Sequence, residues 1–241
     1  MSKREYTFHI ISRDICFTPE RLREVLALPA LRRILFPARM PVAPGKSVIL
    51  QGPEDFHPDI IPKEFQDEEE VSLILYTPTD MRFKATVRLQ AEDICQFGHL
   101  FLLDFRREDA EQCPLNVQML KQLILEIAPL VRGTYISVFH NYHEPIPHPD
   151  GSVTSRLPRM LCNVPLELEW FTYYAPRDLA VIGRERFGHL RTCYEKVEFM
   201  GGILVILQEA PMDKRNPEHI RRRKQAEKEL GLDQLPATSG G

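Results

Sequence analysis

The densest group of side chains that could do chemistry lies between residues 140 and 148, where His140, His143 and His148 accompany Glu144. Three imidazoles and a carboxylate at such short separations could in principle hold a divalent ion. Their spacing matches no known metal motif, and the prolines that follow Glu144 exclude the helix that an HExxH motif requires. We therefore expect a hydrogen-bonded loop and no metal or cofactor site, with a metal-dependent hydrolase as the weaker alternative.

Other catalytic patterns are missing from the sequence. No GxGxxG, GxxxxGK[ST] or GxSxG motif occurs, and no lysine has an acidic residue two positions before it, as a restriction-endonuclease-like site requires. Cys162 and Cys193 lack a neighbouring sequence signature for an activated thiolate, so we expect small buried side chains there. The chain is predicted not to be an enzyme.

The charges give no overall attraction to nucleic acid or to an anionic membrane, because 31 basic and 34 acidic residues leave a formal net charge of -3. The one dense basic cluster, Arg221 to Lys224, lies on a predicted helix whose cations fan around the circumference. Glu218 and Arg222, and likewise Arg223 and Glu227, are spaced i,i+4 for ion pairs. We expect an exposed, self-paired helix and no nucleic-acid or membrane partner.

An acidic run, formed by Asp67, Glu68, Glu69 and Glu70, allows two interpretations. It is either a solvated loop or a surface complementary to a cation-lined site on a partner protein. Clustered carboxylates steer association with such a site and compete with substrate phosphates. An inhibitor of a nuclease would benefit from this arrangement.

The elements that must position these residues are predicted to form an α+β fold, with antiparallel sheets covered by a few helices and long proline-rich loops. Alternating or continuous apolar runs predict strands, and apolar residues at helical spacing predict helices. The strands are expected at 6–10, 71–76, 84–90, 100–105, 135–139, 168–174, 197–200 and 203–207, and the helices at 19–28, 115–127, 178–186 and 217–230. Prolines between residues 29 and 62 predict a long surface excursion that continues to residue 70.

The expected organisation is a single domain over residues 1–236, with two closely packed halves (about 1–140 and 150–236) as the alternative. The tail at 237–241 is small and polar, which predicts disorder. Five scattered cysteines, a short apolar run near the N-terminus and no stretch that could span a bilayer favour a cytoplasmic protein. The sequence leaves the oligomeric state open.

The C-terminal third carries an ordered set of short motifs. A strand WFTYY begins at Trp170, Gly201-Gly202 precedes an apolar strand, and Asn216-Pro217-Glu218-His219 opens a basic helix. This order resembles the immunity protein 52 family over roughly residues 165–232, whereas residues 1–110 match only in general character. The aromatic strand also resembles related type VI immunity proteins with a Trp-x-x-Tyr pattern.

The resemblance implies a cytoplasmic immunity protein that binds and neutralises a cognate bacterial toxin, including toxins with a nuclease domain, by blocking the active site or the assembly of the toxin. The acidic run 67–70 is then the expected toxin-binding surface. A structural or adaptor protein of a secretion or phage-like assembly is the alternative. The motif residues are expected to define the fold; they are Trp170, Tyr173, Gly201, Gly202, Asn216, Pro217 and His219.

Overall fold

A computed structural model describes most of the chain. The described residues are 5–12, 19–57, 70–77, 84–90, 98–111, 115–130, 135–142, 145–147, 153–155, 159–161 and 164–236. The chain divides into two compact units, Met1–Ser137 (unit 1) and Val138–Gly241 (unit 2). In the described part, no helix is long and apolar enough to cross a lipid bilayer.

Unit 1 is built on antiparallel strands with helices beside them. Its strands are β1 (Tyr6–Ser12), β2 (Ala38–Ala43), β3 (Lys46–Leu50), β4 (Glu70–Tyr76), β5 (Lys84–Gln90) and β6 (Gly98–Phe105), which lie in the order β1-β6-β5-β4-β2-β3. Its helices are α1 (Pro19–Leu26), α2 (Pro29–Leu35), α3 (Arg107–Glu111) and α4 (Val117–Leu130). The predicted antiparallel meander is confirmed, because β4 pairs with β5 and β5 pairs with β6.

The predicted surface excursion after residue 29 is wrong for residues 29–50, and its residues 58–69 lie outside the described part of the chain. Pro29 occupies the first turn of α2, where its missing N–H costs nothing, and Ala30, Leu31, Ile34 and Leu35 form the buried face of that helix. The following β2 and β3 form a hairpin. Pro29 therefore marks a helix start and Pro41 lies in a hairpin strand, so neither proline marks a loop.

The predicted helix after residue 115 is confirmed as α4. Its buried stripe includes Leu120, Leu123, Ile124 and Ile127. The amide of Met119 donates to Asn116 Oδ1 at 3.0 Å, which satisfies a backbone donor of the first turn. A further strand, β7 (Tyr135–His140), follows and contains the division between the two units.

In its described residues, unit 2 combines a small antiparallel sheet with two α-helices and several short strands. The short strands are β8 (Pro145–Pro147), β9 (Val153–Ser155), β10 (Met160–Leu161) and β11 (Val164–Pro165), and the longer ones are β12 (Phe171–Tyr174), β13 (Glu195–Phe199) and β14 (Gly202–Ile206). The longer strands lie in the order β13-β14-β12, and both pairings are antiparallel. The helices are α5 (Pro176–Ile182) and α6 (Pro217–Glu229). The chain therefore has the predicted α+β fold.

The core of unit 2 centres on the aromatic strand. Trp170, Phe171, Tyr173 and Tyr174 are each at most 3% exposed, so both faces of the strand are covered. Alternation along a strand predicts that two of these side chains lie on the opposite face from the other two. Because all four are buried, all four belong to the core. Buried aromatics of this size contribute much of the apolar area that stabilises a unit of about this length.

Candidate functional site

The motif residues of unit 2 make contacts within that unit. The indole Nε1–H of Trp170 donates to the carbonyl oxygen of Gln208 at 2.8 Å. Tyr173 is 3% exposed, and its hydroxyl lies against Gly202, where an added Cβ would come within 2.5 Å of the hydroxyl oxygen. Burial and the nearby Asp178 carboxylate raise the pKa of Tyr173, which therefore stays a neutral hydroxyl.

Gly201 and Met200 form the two-residue turn between β13 and β14. Their φ angles are +72° and +49°, as a type I′ hairpin turn requires, and the turn joins the paired residues Phe199 and Gly202. Gly201 adopts its positive φ without steric cost, because glycine has no Cβ. The glycine pair thus serves a tight turn followed by a close approach to β12.

The start of α6 is capped as the sequence predicts. Asn216 Oδ1 accepts from the Glu218 amide at 2.9 Å, and Pro217 occupies the first helical position. His219 Nδ1 accepts from the amide of Asp213 at 3.0 Å. The next amide, that of Lys214, donates to Nδ1 of His140 at 3.1 Å. Two imidazoles therefore hold consecutive amides of the loop before α6.

This loop places Lys214 in a charged cluster, which we define as Glu167, Glu169, Lys214, Arg223 and Glu227. Lys214 Nζ lies 2.9 Å from Glu169 Oε1, and each of these two side chains is only 15% exposed. Arg223 lies 3.6 Å from Glu167 and 3.6 Å from Glu227. The five side chains tie the segment before β12 to α6 and to the loop that precedes it.

The charged cluster contains three carboxyl groups and two cations, so one carboxyl group lacks a full counter-charge. Burial raises the pKa of Glu227 to about 7, although Arg223 and the Leu168 amide, which donates to Glu227 Oε1 at 3.0 Å, act in the opposite direction. Burial also raises the pKa of Glu169, against the attraction of Lys214. Perturbed carboxyl groups of this kind occur in functional sites and in structural ion networks alike.

Replacing Glu227 with glutamine should change the pH dependence of stability. The folded pKa of about 7 exceeds the ordinary value of 4.5, so the folded wild type binds the proton more tightly and loses stability as pH rises from 4.5 to 7. The variant has no such titration. The free energy of unfolding of the variant minus that of wild type should therefore be higher at pH 8 than at pH 5, by up to about 3 kcal/mol. Urea unfolding at these two pH values measures the difference.

Glu209→Gln is the matched control, because it makes the same substitution at an exposed position outside the charged cluster. Its stability relative to wild type should be the same at both pH values. A constant difference between Glu227→Gln and wild type at pH 5 and pH 8 would exclude a raised pKa at Glu227.

The candidate metal stretch falls largely outside the described residues, which include His140 but not His143, Glu144 or His148. His140 is 3% exposed, and its Nδ1 lone pair accepts the Lys214 amide. Asp213 Oδ1 lies 3.4 Å from the same nitrogen, a longer contact than the 3.1 Å amide bond. Among the described residues, no group of three or more His, Cys, Asp or Glu is placed to hold a metal ion.

The predicted basic cluster lies beside a surface depression of about 480 Å³. The residues that line it come from α6 and from the segment before β13; they are Arg191, Thr192, Cys193, Glu218, Arg221, Arg222 and Gln225. Cys193 is only partly buried, whereas a buried side chain was predicted, and this partial burial raises the pKa of its thiol and lowers its thiolate fraction. Cys162 lies outside the described residues.

The other end of α6 is held by a carboxylate. Burial acts to raise the pKa of Glu229, but hydrogen bonds from Thr192, the Arg191 amide and Gln225 outweigh it and lower the pKa to about 2. Glu229 therefore stays charged at neutral pH and ties α6 to the segment before β13. Gly231 then ends the helix with a φ of +63°, as predicted.

The predicted exposure of α6 is wrong on one face. The side chains of Arg223 and Glu227 are 13% and 14% exposed, although their predicted i,i+4 contact is present. Ala226, between them, is fully buried. Arg221 and Arg222 are exposed as expected. One face of α6 therefore packs on its unit, and the other carries the basic side chains.

The charged cluster as a group was not among the residues predicted from the sequence. The available signal was the alternation of Glu167 and Glu169 with Leu166, Leu168 and Trp170, which shows two acidic side chains on one face of an extended segment. The predicted toxin-binding run lies outside the described residues at Asp67, Glu68 and Glu69, and Glu70 is the first residue of β4.

Comparison with known proteins gives a likeness of fold. No protein-family model matches the chain, and neither does any curated protein. Among solved structures, the chain is similar to the Pseudomonas aeruginosa T6SS protein PA0821, with a TM-score of 0.56 and 12% sequence identity. The alignment covers 94% of this chain and 73% of that chain. At this identity the likeness establishes a similar fold and leaves function open.

Proposed function

We propose that the chain is a bacterial immunity protein that binds a cognate toxin, of the nuclease type, and blocks its active site or its assembly. The observation that carries the proposal is the fold likeness over 94% of the chain to a protein whose name associates it with T6SS, the type VI secretion system. Immunity proteins are among the proteins that such systems require. The action is stoichiometric binding, needs no catalysis or cofactor, and takes place in the cytoplasm.

The resemblance of residues 165–232 to the immunity protein 52 family supports the proposal independently of the fold. The residues that carry it have defined contacts: Trp170 bonds to Gln208, Gly202 adjoins Tyr173, and Asn216 caps α6. These contacts hold unit 2 together and leave its exposed side chains free to differ between toxins. A scaffold of this kind suits a family whose members recognise different partners.

The toxin contact is assigned to the acidic run 67–70. Four carboxylates that are adjacent in the sequence, the last of them at the first residue of β4, give a local negative potential, which attracts a cation-lined nuclease site and speeds association. Because the nuclease site must be positive to bind substrate phosphates, the same charges compete with the substrate. Inhibition then follows from occupancy alone.

A second candidate function is a structural or adaptor protein of a secretion or phage-like assembly. The name of the structural neighbour favours this role as much as the first, because it gives an association with a secretion system and no role within it. The hydrolase alternative receives less support, since His140 is buried and its Nδ1 is occupied by a backbone amide.

The decisive experiment captures the tagged chain from the bacterium that encodes it, at moderate salt, and identifies bound proteins by mass spectrometry. The C-terminal domain of a captured effector is then expressed in a laboratory bacterium with and without the chain. We expect one large effector, growth arrest by its toxin domain alone, and normal growth when the chain is co-expressed. Recovery of structural secretion components alone, or continued arrest, would reject the immunity function.

Matched variants test the assigned surface. One replaces Asp67 with Asn and Glu68, Glu69 and Glu70 with Gln. The control makes the same charge change at exposed residues of unit 2, with Asp233→Asn and with Gln at Glu185, Glu209 and Glu218. The first variant should slow toxin association by about tenfold at low salt and less at high salt, and the control should bind like wild type. Equal slowing in both would move the contact away from residues 67–70.

A further inference from the structure

In the described part of unit 2, β13 pairs with β14 on one side and with no strand on the other. An open edge presents main-chain donors and acceptors to any chain that can align with it. The residues that flank this edge strand at its two ends have large apolar side chains that are exposed. Tyr194 is 43% exposed and Met200 is 50% exposed, and the only other large apolar side chain this exposed among the described residues is Ile49, in unit 1.

The hairpin turn determines which main-chain groups point outwards. Phe199 and Gly202 flank a two-residue turn and therefore form a hydrogen-bonded pair. Main-chain groups of successive residues alternate in direction, so those of Val197 also point towards β14. Those of Lys196 and Glu198 consequently point to the open edge.

We propose that two copies of the chain form a symmetric dimer by antiparallel pairing of β13 with β13, with the two-fold axis at Val197. Lys196 then lies opposite Glu198 of the second copy, and this pair occurs twice. The outward main-chain groups of the same two residues form the hydrogen bonds of the pairing. Tyr194 and Met200 flank β13, so the pairing brings Tyr194 of one copy to the same end of the interface as Met200 of the second copy, where the two exposed apolar side chains cover each other. The occupant of the edge is thus a second copy of this chain.

Charge selects this register. Residues whose main-chain groups point to the open edge must pair with such residues of the second copy. The two registers nearest to the proposed one therefore place the two-fold axis at residue 196 or at residue 198. Those registers set Lys196 opposite Lys196 or Glu198 opposite Glu198, and like charges directly opposite are destabilising. Charged residues on an edge strand often prevent pairing. Here the opposite signs stand at equal distances from Val197, which favours pairing of the strand with itself.

The contacts that these charged side chains make within one copy are compatible with the dimer. Lys196 Nζ donates to the carbonyl oxygen of Phe187 at 2.7 Å, and Arg184 Nη2 donates to Glu198 Oε2 at 2.7 Å. Neither contact uses the main-chain groups of Lys196 or Glu198. The side chain of Glu198 is 70% exposed, so its second oxygen is open to a lysine of the other copy.

Sedimentation equilibrium of the full chain over a range of concentrations tests the proposal. We expect a dimer mass for the wild type and, for Lys196→Glu, a dissociation constant higher on the order of tenfold, because two attractive pairs become repulsive. The double variant Lys196→Glu with Glu198→Lys restores opposite charges and should restore the dimer. Far-ultraviolet circular dichroism and thermal unfolding identify any variant that fails to fold. A monomeric wild type, or a double variant as weak as the single one, overturns the proposal.

The apolar pair provides a test that is independent of charge. Tyr194→Ser with Met200→Ser should weaken the dimer, since it removes both contacts between exposed apolar side chains. Ile49→Ser is the matched control, because it removes an equally exposed apolar side chain from unit 1. The control should leave the dissociation constant unchanged. Equal loss in both variants would rule out pairing through β13.

Discussion

Replacing Trp170 with alanine should lower the free energy of unfolding by about 3–5 kcal/mol. Trp170 is fully buried, and its ring packs edge-on against Phe171 with the centroids 5.0 Å apart. The truncation leaves a cavity, and it deprives the Gln208 carbonyl oxygen of its 2.8 Å indole bond. Urea unfolding followed by far-ultraviolet circular dichroism measures the change. Tryptophan fluorescence cannot report on this variant, because Trp170 is the only tryptophan of the chain.

Trp170→Phe separates packing from hydrogen bonding. It keeps an aromatic ring in the core and removes the indole donor, so we expect a smaller loss of about 1–3 kcal/mol. If the motif is structural, the folded Trp170→Phe protein should bind its toxin as tightly as wild type. Weaker toxin binding by the fully folded variant would place Trp170 in the interface instead, and a loss below about 1 kcal/mol for Trp170→Ala would contradict its burial.

The parts of the fold that the sequence predicts are those specified by neighbouring residues. Asn216, Pro217 and Gly231 mark the ends of α6, because a cap, a first-turn proline and a left-handed residue act within one helical turn. The alternation of Tyr6, Phe8 and Ile10 likewise predicts β1, and all three are fully buried. Local signals of this kind remain valid whatever the rest of the chain does.

The charged cluster could not be predicted, because its members are brought together by the tertiary fold. Arg223 and Glu227 form an i,i+4 pair, which is typical of an exposed helix face. Here the two side chains are only 13% and 14% exposed, Glu167 contacts Arg223, and the Leu168 amide donates to Glu227. Nothing in the sequence of α6 alone indicates which segment will cover this face.

The same limit explains the error after residue 29. Proline removes a donor both in loops and at helix starts, so the residue type alone does not distinguish the two. The helical spacing of Ala30, Leu31, Ile34 and Leu35 was the better indicator, since all four are at most 5% exposed. Periodicity over a short segment should therefore outweigh the presence of a proline at its first position.

Replacing Gly202 with alanine should lower the free energy of unfolding by about 1–3 kcal/mol through overpacking. A Cβ there would lie 2.6 Å from the Tyr174 carbonyl oxygen and 2.7 Å from a ring carbon of Tyr173. The first of these atoms is backbone, so β12 and β14 would have to separate to admit the methyl group. Urea unfolding, with the Trp170 fluorescence as the reporter, measures the loss.

Two other glycines make the comparison specific. Gly201→Ala should cost about 1–2 kcal/mol, because its φ of +72° is unfavourable for alanine although the nearest atom, a Pro176 carbon, is 3.3 Å away. Gly188→Ala should be close to neutral, since no atom lies within 4 Å of its added Cβ and its φ is not positive. The expected order of destabilisation is therefore Gly202, then Gly201, then Gly188. If Gly202→Ala were as stable as Gly188→Ala, the close approach of β14 to β12 would be wrong, and with it the contact that gives the second glycine of the motif its role.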